Sequence, residues 1–463
     1  MKCRSHLVLY ATVVAWPVLA QDVTAYSTTI AQGWKQNNAN LSQGTYAPAT
    51  EYLGVDVARI GGRDALSLHI YGWGQADLAD QSSLYGKHTG DLTYGYLQYN
   101  FSQANAVLKA GRFTVNGGVG NEQVDGVSAR TDLRLGFAVS GFAGLPVIYK
   151  NLGDQSQATI ASQQNLIYGA RLAWRNAKLG ELGVDFVEDG TSPGNPSPTG
   201  MPPVDFTRRF MGADLKLTRW SWLDVTGRTV YDVSPRAEPA PNANLSRIAE
   251  DDYTATFKVN PKLSIAGTFV ERNFFAYYAG STLPTLFNQD EQGMFKAAGG
   301  KATWQATESL QVVADVRRTD RTTYGTATRA GADLRYKFAD GRAMAGAGYH
   351  QVNAFTLAPK PDSVIPAYSL SHSETRAWVM VEQKAWCYSL DGIAFHYADA
   401  GLNPNLNGHS FEGLLLGSVG YQAKSSLKVS GDLSYGDTPM YQRQVTVLAR
   451  VEYRFPAAAK GDK

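Results

Sequence analysis

The feature that most constrains this chain is strict alternation of apolar and polar residues, repeated along most of its length. Successive side chains of a strand point to opposite faces, so alternation means strands with one apolar and one polar face. Over 425–437, Leu427, Val429, Gly431, Leu433 and Tyr435 share one face; Ser426, Lys428, Ser430, Asp432 and Ser434 share the other. Over 440–455, Val445, Val447, Ala449, Val451, Tyr453 and Phe455 oppose Gln444, Thr446, Arg450, Glu452 and Arg454. The same signal predicts strands near 24–35, 50–60, 64–79, 91–102, 105–115, 123–131, 134–143, 164–175, 180–188, 206–219, 221–233, 248–259, 262–273, 293–305, 309–320, 325–338, 341–353, 371–383, 386–398, 410–423, 425–437 and 440–455. That makes 22 strands. The patterns at 24–35, 123–131, 134–143 and 180–188 are the weakest, which leaves a range of 16–22. Many of these strands exceed the ~5–6 residues usual in globular proteins and suit the ~9–11 that a tilted strand needs to cross a bilayer.

The connections alternate between short and long. Gly61-Gly62-Arg63, Gln103-Ala104, Asn176 to Leu179, Asn260-Pro261, Ala339-Asp340-Gly341 and Lys424 are short; 36–49, 80–90, 144–163, 189–205, 234–247, 274–292, 354–370 and 399–409 are long. A meander with tight turns at one end and loops at the other is the pattern of a transmembrane barrel. Both termini then fall on the short-turn side, which requires an even strand count. Backbone groups in hydrocarbon are all satisfied only by helices or closed barrels. Beyond the N-terminus no run approaches the ~18 apolar residues of a spanning helix. The expected fold is therefore all-β, an antiparallel up-and-down barrel with its apolar face toward lipid. Charged residues make up only 18% of the chain, Gly is 46 of 463, and there are 25 Tyr, 18 Phe and 9 Trp. That composition suits a large β-structure and argues against disorder.

Residues 1–20 read as a secretory signal, with Lys2 and Arg4 before the apolar run Leu7 to Trp16 and a cleavage site at Val18-Leu19-Ala20. The barrel then spans 21–455, followed by a short tail, 456–463. Cleavage takes two of 43 basic residues and none of 41 acidic ones, so the mature chain is neutral. Neutrality argues against a nucleic-acid partner and predicts weak ion selectivity. Cys3 leaves with the signal, and Cys387 alone forms no internal disulfide.

The polar faces should line a wet interior, where charged side chains select solutes by sign. The candidate lining residues are Asp224, Arg228, Asp315, Arg317, Arg329, Asp333, Arg335, Lys337, Lys428, Asp432, Arg450, Glu452 and Arg454. The segment Asn116 to Gln164 is the candidate constriction, through Gly117, Gly118 and Gly120 and through a polar loop, Leu145 to Gln163. Interface girdles are expected from Tyr94, Tyr96, Tyr99 and Phe101, and from Trp220, Trp222, Trp386, Tyr435, Tyr453 and Phe455 near short turns. His350, His372, His396 and His409 are too dispersed for a metal-ligand motif. Ser371-His372-Ser373-Glu374 reads as a loop rim rather than a hydrolase site, so neither an enzyme nor a cofactor is expected.

The last strand, Val451-Glu452-Tyr453-Arg454-Phe455, looks like the assembly signal of bacterial outer-membrane barrels, an alternating strand ending Tyr-x-Phe. Tyr453 and Phe455 would then address the chain to the barrel assembly machinery, although Pro456 to Lys463 follow where that family usually ends. Gly111-Arg112-Phe113, then Val124-Asp125-Gly126-Val127, resembles large porins and the porin-like barrels of metal-respiring bacteria. The resemblance implies passive passage of small hydrophilic solutes through the bacterial outer membrane. It implies, as the alternative, a sheath that holds a multihaem cytochrome or other redox partner there.

Overall fold

The computed structural model describes residues 20–36, 44–79, 88–147, 165–191, 207–234, 247–273, 294–321, 325–354, 356–357, 368–402, 406, 408–438 and 441–455. Twenty-two long strands form the molecule. They are β1 (Ala20–Gln36), β2 (Pro48–Ile60), β3 (Leu66–Asp77), β4 (His88–Phe101), β5 (Ala106–Gly117), β6 (Gly120–Asp132), β7 (Phe137–Pro146) and β8 (Asn165–Asn176). Then follow β9 (Gly180–Thr191), β10 (Thr207–Trp220), β11 (Leu223–Asp232), β12 (Ile248–Asn260), β13 (Leu263–Asn273), β14 (Met294–Gln305) and β15 (Leu310–Arg321). The last are β16 (Gly325–Phe338), β17 (Ala343–Asn353), β18 (His372–Gln383), β19 (Trp386–Tyr397), β20 (Phe411–Lys424), β21 (Leu427–Thr438) and β22 (Tyr441–Phe455). Each pairs antiparallel with the next, and β22 returns to β1 over Phe455↔Ala25 to Thr446↔Trp34. The sheet is a closed barrel, and the four weakest sequence patterns are present as β1, β6, β7 and β9.

One end carries turns of at most five residues, at 61–65, 102–105, 133–136, 177–179, 221–222, 261–262, 306–309, 339–342, 384–385 and 425–426. Two are closed by an Asn side chain, which mimics a backbone turn. Asn176 Oδ1 accepts from the amides of Lys178 (2.9 Å) and Leu179 (3.2 Å), and Asn260 Oδ1 from that of Lys262 (2.8 Å). The other end carries the long connections, interrupted by short ones at 118–119, 322–324 and 439–440. The expected signal lies outside the described residues except for Ala20, and the tail 456–463 lies outside them as well.

Side chains from second-neighbour strands meet only on the concave face of a curved sheet, so such meetings mark the interior. Arg171 of β8 reaches Asp214 of β10 at 2.7 Å, and Arg329 of β16 reaches Glu374 of β18 at 3.1 Å. The opposite face is apolar. Leu182, Val184, Val316, Leu334, Leu390, Leu415, Leu433 and Val447 stand there, each 45–56% exposed. A belt of this kind is a lipid-facing surface in a barrel and an aggregation surface in water. Around its short-turn end run outward aromatic pairs: Tyr99–Phe101 (4.4 Å between centroids), Trp220–Trp222 (6.0 Å), Tyr336–Phe338 (6.2 Å), Trp386–Tyr421 (4.5 Å) and Tyr453–Phe455 (4.7 Å). Tyr435 also faces outward, but near the long-connection end of β21, which corrects its placement beside the short turns. Tyr94 and Tyr96 are not girdle residues. Residues 94 and 96 alternate with the outward 99 and 101, and Tyr94 bonds Tyr26 of β1 across the interior at 3.1 Å.

Three glycines share one level of the wall. Gly111 of β5 pairs with Gly126 of β6, which pairs with Gly144 of β7. A Cβ on Gly126 would lie 2.1 Å from the Ala143 carbonyl oxygen, on Gly144 2.4 Å from that of Asp125, and on Gly111 2.3 Å from that of Gly95. Gly111 also has φ +126°, which side-chain-bearing residues rarely adopt. The three strands approach and bend there as only glycine permits. Gly126→Val should therefore lower the yield of folded, heat-modifiable barrel, whereas Gly267→Val, where a Cβ meets nothing within 4 Å, should not. Electrophoresis of unheated samples reads both.

Candidate functional site

Just above the glycine level, the β5–β6 hairpin leaves the wall. β5 is paired with β4 only as far as Arg112, opposite Gly95. β6 is paired with β7 only as far as Val124, opposite Pro146. The two strands stay paired with each other up to Gly117 and Gly120. Arg112 clips the root of the hairpin. Its guanidinium donates to both carboxylate oxygens of Asp125 (2.7 and 2.8 Å), to Asp91 (3.0 Å) and to the Leu92 carbonyl (2.9 Å). Gln123 donates to the Thr93 carbonyl on the other side of the gap.

The tip lies across the inner wall. The Val119 amide donates to Asp185 Oδ2 of β9 at 2.5 Å. A Cβ on Gly118, which has φ +59°, would collide with the same carboxylate, and one on Gly212 of β10 would meet the Val119 side chain at 2.1 Å. Glu122 lies 3.9 Å from Arg208, which also pairs with Asp189. Beneath the tip is an apolar contact unusual for the inside of a wet barrel. Phe113 and Val124 of the hairpin bury Ile167 and Val187 of the wall, and Val119 packs on Phe210, Val230 and Ala249. Below the hairpin a cavity of about 680 Å³ is lined by Lys109, Ser128, Ser140, Arg171, Glu181 and Asp214, among others.

The expected constriction is therefore corrected in its boundaries. The inward element starts at Arg112 and ends near Gln123; β6 below Val124 and all of β7 are wall. Residues 148–164, the polar loop expected to fold inward, lie outside the described residues. The resemblance motif is explained structurally: Gly111-Arg112-Phe113 and Val124-Asp125-Gly126 are direct partners, Gly111↔Gly126, Arg112↔Asp125 and Phe113↔Val124, and together they build the hairpin's root.

All thirteen candidate lining residues stand at inward register positions. Asp224 and Arg228 share a face but not a bond: Asp224 pairs with Lys258 (2.5 Å) and Arg228 with Glu250 (2.7 Å). Arg329 bridges Asp315 (3.0 Å) and Glu374 (3.1 Å). Arg317 lies over Phe295 at 5.8 Å and Arg335 over Trp378 at 5.9 Å; neither makes an ion pair among the described residues. Lys337 continues the Arg335 face. Lys428, Asp432, Arg450, Glu452 and Arg454 line the β21–β22 wall, where Arg450 and Glu452 are 3.9 Å apart. Tyr453 and Phe455 end β22 beside β1.

Several residues of the site were not legible as such. Arg171, Asp185 and Asp214 converge only because β8, β9 and β10 curve together. His350 is nearly buried and meets Asp315 (3.0 Å) and Asp333 (3.7 Å), ligand-type atoms that all lie within 4.8 Å of one another. Arg329 holds the other oxygen of Asp315, so the group reads as an internal ion-pair network. The Ser371 hydroxyl is engaged with Ser369 (2.8 Å) and Ala354, while His372 turns to the Leu370 carbonyl (2.9 Å) and Glu374.

The Val119–Asp185 bond should hold the tip in place. Its removal in Asp185→Ala leaves a half-buried amide unpaired, at a cost of about 1–2 kcal/mol. Amide hydrogen exchange over 117–120 should then speed up roughly 5- to 30-fold, with the wall strands unchanged.

No protein-family model matches the chain, and no curated protein matches it. Solved structures resemble it in fold. The ferric enterobactin receptor PfeA of Pseudomonas aeruginosa, as an R480A/Q482A mutant, superimposes with a TM-score of 0.54 at 8% identity, covering 93% of this chain and 80% of that one. The siderophore receptor PirA of the same organism gives 0.54 at 9% identity, and PirA of Acinetobacter baumannii 0.51 at 11%, each over 93% of this chain and 80% of the other. At these identities the likeness is one of architecture: this chain has the fold of large outer-membrane β-barrels.

Proposed function

We propose that the chain is a channel of the bacterial outer membrane through which small hydrophilic solutes and ions diffuse. The observation that carries this reading is the β5–β6 tip, laid inside a closed barrel with a charged inner face. At ~4.8 Å between strands and a tilt near 40°, 22 strands enclose a ring about 40 Å across its backbone. A ring that wide is a water-filled hole unless something narrows it. The tip is built to do so, and it is held by apolar burial and one buried carboxylate rather than by loop chance. Lipid would meet the exposed belt of Leu and Val, and the short-turn aromatic girdle would sit at the periplasmic interface with both termini.

Selectivity follows the wall. Most acids are spent on neighbouring bases, as in Arg171 with Glu181 (3.0 Å) and Asp214, or Arg272 with Glu250 (3.1 Å). Across β14–β16, however, Lys301, Arg317, Arg321, Arg335 and Lys337 line one face without an ion pair among the described residues. This stretch gives passing solutes a mild preference for anions. The chain carries its solutes by steric exclusion and electrostatic bias, with no covalent step.

Single-channel recording in a planar bilayer should give stable conductance steps. Replacing residues 116–121 by two glycines should raise them roughly 1.5-fold or more, and Arg317→Glu with Arg335→Glu should move the reversal potential toward cations. A verified folded barrel that conducts nothing, with or without the tip, would overturn the reading. It would favour a barrel filled by a partner, such as a redox protein, which a pull-down for haem proteins would test.

A further inference from the structure

The wall formed by β1–β4 differs from the rest of the interior: it is paved with tyrosine. One register row runs Tyr26 (β1), Gly54 (β2), Tyr71 (β3) and Tyr94 (β4). The row above places Thr28, Tyr52, Trp73 and Asp91, and the row below Thr24, Asp56, His69 and Tyr96. A Cβ on Gly54 would lie 2.1 Å from the Tyr26 ring, so that ring lies flat over the glycine against the wall. Its neighbours lie nearly parallel to it, offset along the wall. Tyr71 is inclined 29° to Tyr26 with centroids 5.9 Å apart, 17° to Tyr52 at 6.3 Å and 24° to Tyr94 at 5.5 Å. Centroids that far apart in near-parallel rings describe paving, not a face-to-face pile, in which rings sit about 3.5–4 Å apart. The hydroxyls of Tyr26 and Tyr94 meet at 3.1 Å.

Such paving has no structural need of its own, since elsewhere the inner wall is held by ion pairs. Charged groups stand at its margin. Asp56 bonds His69 at 2.6 Å, Arg112 is shared between Asp91 and Asp125, and the Lys109 ammonium lies 4.8 Å over the Tyr96 ring. The cation-rich β14–β16 face is at least seven strands away around the ring, far beyond the ~8 Å over which charge acts in physiological salt. On the other side Arg454 of β22 is the register partner of Tyr26 and Glu452 that of Thr28, so the surface is aromatic with charged groups at its margins and hydroxyls and amides at its edge: Thr28, and Thr50 bonded to Gln75 at 3.2 Å.

We infer that the β1–β4 tyrosine pavement is a binding track for carbohydrate. A pyranose ring presents C–H groups on a face and hydroxyls around its rim. The face lies on an aromatic ring, and the rim finds the phenols, Thr28, Gln75 and Asp91. Three strand spacings give the pavement a width of about 14 Å, enough for two or three sugar units.

The inference deepens the channel reading but is tested apart from it. Folded protein in lauryldimethylamine oxide, a detergent without a sugar head, is titrated calorimetrically with maltohexaose. The wild type should bind it. Tyr71→Ala and Tyr94→Ala should each weaken binding at least fivefold, while Tyr99→Ala, on the outer face, should leave it unchanged. Binding of maltohexaose that survives both inner variants, or no binding by a folded wild type, would each overturn the inference. Because the titration needs no ion flow, a barrel that fails to conduct leaves this result standing, and a conducting barrel that binds no sugar sinks this inference alone.

Discussion

Everything in this molecule depends on a ring of backbone hydrogen bonds with no free edge. β22 closes on β1 over ten register pairs, from Phe455↔Ala25 to Thr446↔Trp34. Below the Gly111–Gly126–Gly144 level the ring is unbroken; above it the β5–β6 hairpin leaves its neighbours. That departure gives up roughly five ladder bonds, each worth about 1 kcal/mol net. It gains burial of Phe113, Val124, Ile167, Val187, Phe210 and Val230, at about 1.5–3 kcal/mol each. Burial wins, and Arg112 and Gln123 bridge the gap that opens. The glycines are where a sheet that must stay hydrogen-bonded is nevertheless made to fold inward.

Electrostatics plays a second, local part. The inner wall is a series of short networks that each span two or three strands, such as Arg171–Asp214–Glu181, Arg228–Glu250–Arg272 and Arg329–Asp315–His350. In a ring about 40 Å across, walls that face each other are several Debye lengths apart. Each sector therefore has its own character: apolar and roofed by the hairpin on β8–β12, basic on β14–β16, aromatic on β1–β4.

The barrel was readable because strand alternation is local and closure follows from it. Strand number, turn polarity and the outward girdle at Trp220, Trp386 and Tyr453 follow from spacing along the chain. What could not be read is what curvature brings together. Tyr94 and Tyr96 differ from Tyr99 and Phe101 only in parity, and a bulge between Tyr71 and Gly72 adjusts the register beside them. Asp185 looks like any polar residue of an alternating strand; it becomes the anchor of Val119 because a turn from three strands away lands on it. His350 stands alone in the sequence and finds Asp315 and Asp333 through register. The Gly-rich stretch after Asn116 marks the right place, but nothing local tells a hairpin that bends inward from a loop that folds in.

The turn at the hairpin's tip has two residues, Gly118 and Val119, on the side of the barrel where most connections are long. The narrowing is thus made of wall, not of loop. In the proposed channel, whatever meets the cell from outside, whether phage, antibody or protease, touches the long-connection end first. In that reading the long connections can lengthen, shorten or change sequence under that pressure while the described narrowing, Arg112 to Gln123, keeps its shape, because it is drawn from wall strands. The barrel separates the surface by which it is seen from the surface by which it discriminates.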